Sequence, residues 1–281
     1  MSIKIIVDST TDIPEYLRNE FIIVPLTIRF GEEEYTDGVN LSRTQFYEKL
    51  IESDVLPQTS QVSPATFEEY FRKVTDNGDS AVVLTISSNL SGTYQSATIA
   101  AEEFPGKIYV VDTKSAAIGA SILAQMALHL RDEGLSVHEI AEKLCEERNN
   151  LRVIALLDTL EYLKKGGRIS STVAFAGGLL AIKPVVCIED GAVKMLGKAR
   201  GSKQGNNLLV KIIEESGGVD FSRPVLLGYT GLSDVMLRKY IEDSKHLWEE
   251  CGREPDSTLI GSVVGTHVGP GAVAAAFFKE N

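Results

Sequence analysis

Short β-branched runs recur along the first half of the chain, at Ile3 to Val7, Ile22 to Ile28, Ala81 to Ile86 and Ile108 to Val111, and helical patterns fill the stretches between them. This alternation predicts an α/β sheet, because parallel strands need crossovers long enough to carry a helix. The helix starts are written locally. Ser42 with Gln45 three residues on, Ser63 followed by Pro64, and Ser136 with Glu139 three residues on are N-cap signatures, and Asp12 before Ile13-Pro14-Glu15 reads as a fourth. The apolar segment Ser115 to Leu130 predicts a largely buried helix that Gly134 ends.

A second α/β unit starts near Arg152. Strand-like Val153 to Leu157 leads to a short helix ending at Lys164-Lys165-Gly166-Gly167. Pro184 to Ile188 should pair with Ala192 to Lys198 through Asp190-Gly191, a residue pair favoured in two-residue hairpins. Helices over Lys203 to Glu215 and Ser233 to Glu250, and strands over Val225 to Tyr229, Leu259 to Val264 and Ala272 to Phe278, complete the expectation. With 281 residues the chain is long enough for two domains, expected as 1–155 and 156–281.

Composition excludes several functions. Lys plus Arg is 28 against 39 for Asp plus Glu, a net charge of −11, so the overall field repels polyanions and no nucleic-acid partner is expected. Cys145, Cys187 and Cys251 lie far apart and no histidine stands at metal-ligand spacing, so neither a disulfide framework nor a metal site is expected. No stretch approaches the roughly 18 apolar residues of a membrane span, so stable membrane insertion is not expected and a reducing cytoplasm is the expected setting.

Hydroxyl- and glycine-rich loops border the apolar strands, where α/β sheets hold ligands. They are Asp8-Ser9-Thr10-Thr11-Asp12, Gln58-Thr59-Ser60-Gln61, Ser87-Ser88-Asn89-Leu90-Ser91-Gly92-Thr93 and Gly265-Thr266-His267-Val268-Gly269-Pro270-Gly271. Free N–H groups and hydroxyls at helix starts suit a carboxylate or phosphate, although each hydroxyl taken singly also serves as an ordinary cap. Lys164 and Lys165 have a structural account as helix-end cations. Arg168 lies beyond the glycine pair and is a candidate anion ligand, as a loop guanidinium grips a carboxylate or phosphate two-handed. His267 among glycines reads as part of a ligand lip rather than of a helix face. The P-loop, the dinucleotide fingerprint and the G-x-S-x-G elbow are all missing.

The motifs V-D-S-T-x-D (Val7 to Asp12), T-S-Q (Thr59 to Gln61), S-S-x-L-S-G-T (Ser87 to Thr93), V-V-D-T (Val110 to Thr113), K-G-G-R-I-S (Lys165 to Ser170), A-R-G (Ala199 to Gly201) and T-H-V-G-P-G (Thr266 to Gly271) occur in this order. In this the chain resembles the DegV family, which includes the bacterial fatty acid-binding proteins called FakB. One departure is Thr59-Ser60-Gln61-Val62-Ser63-Pro64, where the family often reads T-S-Q-P-[ST].

The resemblance implies two α/β domains with a long-chain fatty acid, such as palmitate or oleate, between them and no further cofactor. The hydroxyls of Thr59 and Ser91 would bind the lipid carboxylate. In the FakB branch the protein is not itself the catalyst: a separate ATP-dependent fatty acid kinase phosphorylates the bound carboxylate to an acyl phosphate for phospholipid synthesis. Arg168, Arg200 and His267 would then lie at the mouth, facing that partner. Two alternatives stay open, an acyl- or phospho-transferring enzyme with Ser91 as nucleophile and His267 as base, and a lipid sensor or storage module without a kinase.

Overall fold

The computed structural model describes residues 2–170, 182–249, 252 and 254–280. In chain order the first half contains β1 (Ile3–Asp8), β2 (Phe21–Val24), β3 (Thr27–Phe30), β4 (Glu33–Thr36), α1 (Arg43–Glu52), β5 (Gln58–Ser60), α2 (Pro64–Asp76), β6 (Ser80–Thr85), α3 (Thr93–Ala101), β7 (Ile108–Asp112), α4 (Ala117–Asp132) and α5 (Val137–Glu147). The second half contains β8 (Leu151–Leu156), α6 (Glu161–Lys165), β9 (Ile182–Glu189), β10 (Ala192–Arg200), α7 (Gly201–Glu215), β11 (Leu226–Tyr229), α8 (Val235–Asp243), α9 (Lys245–Trp248), β12 (Ser257–Leu259), α10 (Ser262–Val268) and β13 (Val273–Phe278). Cys251 lies outside the described residues, as does Glu250 at the end of one expected helix.

The class is α/β, as expected. A parallel sheet runs β2-β1-β6-β7, a mixed sheet runs β10-β9-β8-β13-β11-β12, and a small antiparallel sheet runs β4-β3-β5. Helix α4 packs on β1 and β6 of the parallel sheet and on β8, β11 and β13 of the mixed one. A helix enclosed by two sheets must be apolar all round, and Ala117 to Ala124 are buried without a break. Ser42, Ser63 and Ser136 cap their helices as the sequence predicts. Asp190 and Gly191, at φ 51° and 79°, turn the β9–β10 hairpin.

Four expectations are corrected. The run Ile22 to Ile28 is two strands in different sheets, because Pro25 lacks the N–H that would continue a ladder. The helix expected over Ser233 to Glu250 is broken at Ser244, whose hydroxyl donates to the Tyr240 carbonyl and accepts from the Trp248 indole. Leu259 to Val264 is not one strand, since β12 ends at Leu259 and α10 begins at Ser262. Asp12 caps no helix; the short 3-10 turn that follows has Pro14 at its cap.

Asp12 instead ties the two ends of the chain together. Its Oδ1 accepts from the Gly261 amide at 2.7 Å, just ahead of α10, and lies 3.3 Å from Arg43 Nη2. Arg43 also donates to the Leu259 carbonyl at 2.6 Å and the Thr258 hydroxyl at 3.1 Å, and the Tyr47 hydroxyl donates to the Ile260 carbonyl at 3.0 Å. Burial pushes the Asp12 carboxyl up to about 7 despite the opposing pull of Arg43. A second tie joins the hydroxyl of Ser87 to the Gly191 carbonyl and the amide of Asn89 to the Asp190 carbonyl, each at 2.7 Å.

Removing the carboxylate would strand a buried N–H and the Arg43 charge. Asp12→Ala should therefore cost about 3 to 5 kcal/mol in chemical denaturation. Asp12→Asn keeps an acceptor for Gly261 and should cost clearly less. Equal losses in the two variants would contradict this account.

Candidate functional site

Thr59 is in a strand and not the loop its composition predicts: β5 forms an edge of the small sheet, with Thr59 opposite Ile28. His267, expected in a glycine-rich lip, is in the last turn of α10, which ends at Gly269 with φ +76°. Two glycines make this helical placement possible. Gly265 lies against Phe46 and Tyr47, where a Cβ would come within 2.6 Å of the tyrosine oxygen. A Cβ on Gly166 would stand 2.2 Å from His267 Nδ1, so only glycine leaves room for the imidazole there.

The imidazole Nε2 is 3.0 Å from the Thr59 hydroxyl. Ser91 lies in the turn from β6 to α3, its hydroxyl 2.9 Å from that of Thr93 and accepting from the Thr93 amide at 3.3 Å. A Cβ on Gly92 would meet the end of the Gln61 side chain at 2.0 Å, so the T-S-Q segment packs against the start of α3, where Gln61 donates to the Ser96 hydroxyl at 3.0 Å. Arg168 donates to the Leu90 carbonyl at 3.2 Å and to the Gly166 carbonyl at 2.7 Å. Four motifs that are far apart in sequence thus meet.

The remaining acidic motifs hold loops. Asp8 accepts from the amides of Thr10 at 2.9 Å and Ile86 at 2.7 Å, and Asp112 accepts from the amides of Ser88 at 3.1 Å and Lys114 at 3.0 Å. Each carboxylate satisfies N–H groups left over where a strand ends.

Thr59, Ser91, Arg168 and His267 all line one cavity of about 400 Å³. Its interior is apolar, walled by Ile86, Ile118, Val153, Ala155, Leu157 and Val186 among others. A second, more polar cavity of about 390 Å³ shares Thr59, Arg168 and His267 and adds Tyr162, Lys165 and Thr266. Arg200 lines neither cavity; it is exposed at the end of β10, its amide donating to the Gln204 side chain at 3.2 Å. Tyr162 escapes sequence reasoning, since it looks like an ordinary surface residue until the chain is folded, and Lys165, read there as a helix-end cation, also lines the polar cavity.

Ser91 and His267 line the same cavity, but their side chains are bonded elsewhere, to Thr93 and to Thr59. His267 Nδ1 is buried with no hydrogen-bond partner among the described residues, so nothing there orients the ring as a general base. Among the described residues no group of three or more His, Cys, Asp or Glu side chains is arranged to hold a metal ion, and Cys145 and Cys187 are unpaired. No helix is long and apolar enough to cross a membrane, again among the described residues.

The sheets border a partly open apolar cavity with a polar end, a shape that suits an amphipathic ligand. The chain belongs to the DegV family, whose model, described as "Uncharacterised protein, DegV family", matches residues 2–280. It is 34% identical over 288 residues to a DegV domain-containing protein of Caldanaerobacter subterraneus subsp. tengcongensis, covering 99% of each chain. A DegV family protein from Thermus thermophilus, solved in a study of its fatty acid binding, superposes with a TM-score of 0.86 at 31% identity over all of both chains. A stearic acid-binding protein from Eubacterium ventriosum superposes with a TM-score of 0.85 at 28% identity over 99% of each.

Burial, and then the nearby Arg168 charge, push the His267 imidazole down from its ordinary 6.5 to about 4. The ring is therefore neutral at neutral pH and can share a proton with the Thr59 hydroxyl. Between these two values the folded chain binds fewer protons at this site than the unfolded chain, so stability falls as pH drops from about 6.5 toward about 4. His267→Gln removes that loss. Its stability relative to the parent should improve on acidification, measured by urea unfolding at about pH 7.5 and about pH 5; a difference that does not change with pH would contradict the assignment.

Proposed function

We propose that this protein carries a long-chain fatty acid, such as palmitate or oleate, between two α/β units divided near residue 155, with the carboxylate bound by the hydroxyls of Thr59 and Ser91. The observation that carries the reading is the division of one cavity into an apolar interior and a polar end where Thr59, Ser91, Arg168 and His267 gather. Stearic acid, named for the Eubacterium relative, has the matching form of an alkyl tail with one carboxylate. The start of α3 beside Ser91 adds a helix N-terminus, which favours an anion. The tail supplies most of the affinity, at about 0.8 kcal/mol per buried methylene. The hydroxyls mainly fix where the head group stops.

The second half of the reading is presentation of that head group to a separate fatty acid kinase, in the cytoplasm. A carboxylate oxygen attacks the γ-phosphorus of ATP, ADP leaves, and the acyl phosphate goes on to phospholipid synthesis. The support is the outer polar cavity, which shares Thr59, Arg168 and His267 with the lipid cavity and so gives a second molecule a route to the carboxylate. Arg168 would offset charge that develops during the transfer. Arg200, exposed and away from both cavities, is left as a contact for the partner. Catalysis would belong to the kinase, and the fatty acid would be ligand rather than cofactor.

Thr59→Ala and Ser91→Ala should each weaken fatty acid binding by about 1.5 to 3 kcal/mol in a titration, through a lost bond to a charged group, with unchanged thermal melts. Unaltered binding in both would remove the carboxylate from this end. Arg168→Ala, mixed with a fatty acid kinase and ATP, should cut acyl phosphate formation by roughly a hundredfold while lipid occupancy changes little. Equal loss of occupancy and turnover would instead make Arg168 a lipid ligand.

A further inference from the structure

Strands β8 and β9 pair over only three positions, Leu156 with Val185, Ala155 with Val186 and Ile154 with Cys187. Both strands continue beyond that point with other neighbours. Val153 stays opposite Ala276 of β13, and Ile188 stays opposite Val193 of β10. The mixed sheet therefore parts between Val153 and Ile188. A cavity of about 510 Å³ is lined by these same two residues and Cys187, all three of which also line the apolar cavity. The two spaces adjoin at the parting.

Along β8 the parting lies on the side away from Arg168, beyond Leu157 and Ala155. Leu157 packs with Leu163 and Ile169, next to Arg168. Val153 is four residues back along β8, about 13 Å at the ordinary strand rise of about 3.3 Å per residue. Val153 is also held in place: a Cβ on Gly119 of α4 would come within 2.2 Å of its Cγ2, so the helix presses directly on this side chain. Beyond the parting the surroundings change character, because Arg148, Arg152 and Glu189 line the cavity of about 510 Å³. A methyl terminus gains nothing by entering a charged space.

We propose that Val153 and Ile188 form the end stop that sets which acyl chain length this protein prefers. The inference rests on the fatty acid reading above. Chains that end short of the parting leave apolar surface unfilled, and chains that pass it must force the two side chains apart and enter the charged cavity. Truncating either side chain makes the two spaces continuous.

The test is a titration of the lipid-free protein with saturated acids from dodecanoate to docosanoate, on the parent chain, Val153→Ala, Ile188→Ala, Ile188→Phe and the control Val186→Ala. In the parent, affinity should rise by roughly fourfold per added methylene until the tail meets the stop, and then level or fall. Both alanine variants at the stop should move that break to longer acids, and Ile188→Phe should move it to shorter ones. Val186→Ala widens the same cavity nearer the head group and should leave the break where it is. A break at the same chain length in the parent, Val153→Ala, Ile188→Ala and Ile188→Phe, all with parental circular dichroism, would overturn the end stop while leaving the fatty acid reading intact. If the parent binds none of the acids, the fatty acid reading fails and the end stop fails with it.

Discussion

The fold depends on a buried carboxylate. Asp12 is fully enclosed, yet it holds the amide of Gly261, 249 residues away, and the guanidinium of Arg43. A charge in that position is costly unless its partners are fixed, so the contact specifies where the start of α10 must lie. At its other end the same helix brings His267 to Thr59. One seven-residue helix thus joins the acidic tie just past the end of β1 to the polar end of the cavity. Its inner face contributes Val263, Val264 and Val268 to the wall between them.

This arrangement separates two tasks that one cavity must perform. The apolar wall comes from positions of period two, Val153 and Ala155 on β8 with Leu157 just past its end, and Val186 and Ile188 on β9, which turn their side chains to the cavity. The polar end comes from strand edges and helix termini, where unsatisfied groups gather in any α/β fold. The carboxylates of Asp8 and Asp112 satisfy the neighbouring loops, leaving Thr59, Ser91, Arg168 and His267 at the cavity.

Much of this was legible in the sequence wherever the cause was local. The capping boxes at Ser42 and Ser136 and the Asp190-Gly191 turn depend on residues a few positions apart, and they occur as read. Features that depend on distant partners were misread. Asp12 looks like a cap because Gly261 cannot be seen beside it. His267 looks like a loop residue because the glycines around it, in isolation, argue against a helix; their reason is the close approach of Tyr47 to Gly265 and of Tyr162 to Gly269. The convergence of the hydroxyl motifs at one cavity follows the resemblance, but the parting of β8 from β9 has no local signal, since it arises from pairing on the outer sides of both strands.

The central claim is that the cavity holds an intact fatty acid without a covalent bond. Native mass spectrometry of protein purified under mild conditions tests it most directly. The account predicts a species heavier than the chain by the mass of a long-chain acid, returning to the bare chain mass on denaturation with release of the free acid. A bare chain that also takes up no added palmitate or oleate, or an adduct that survives denaturation, would contradict it.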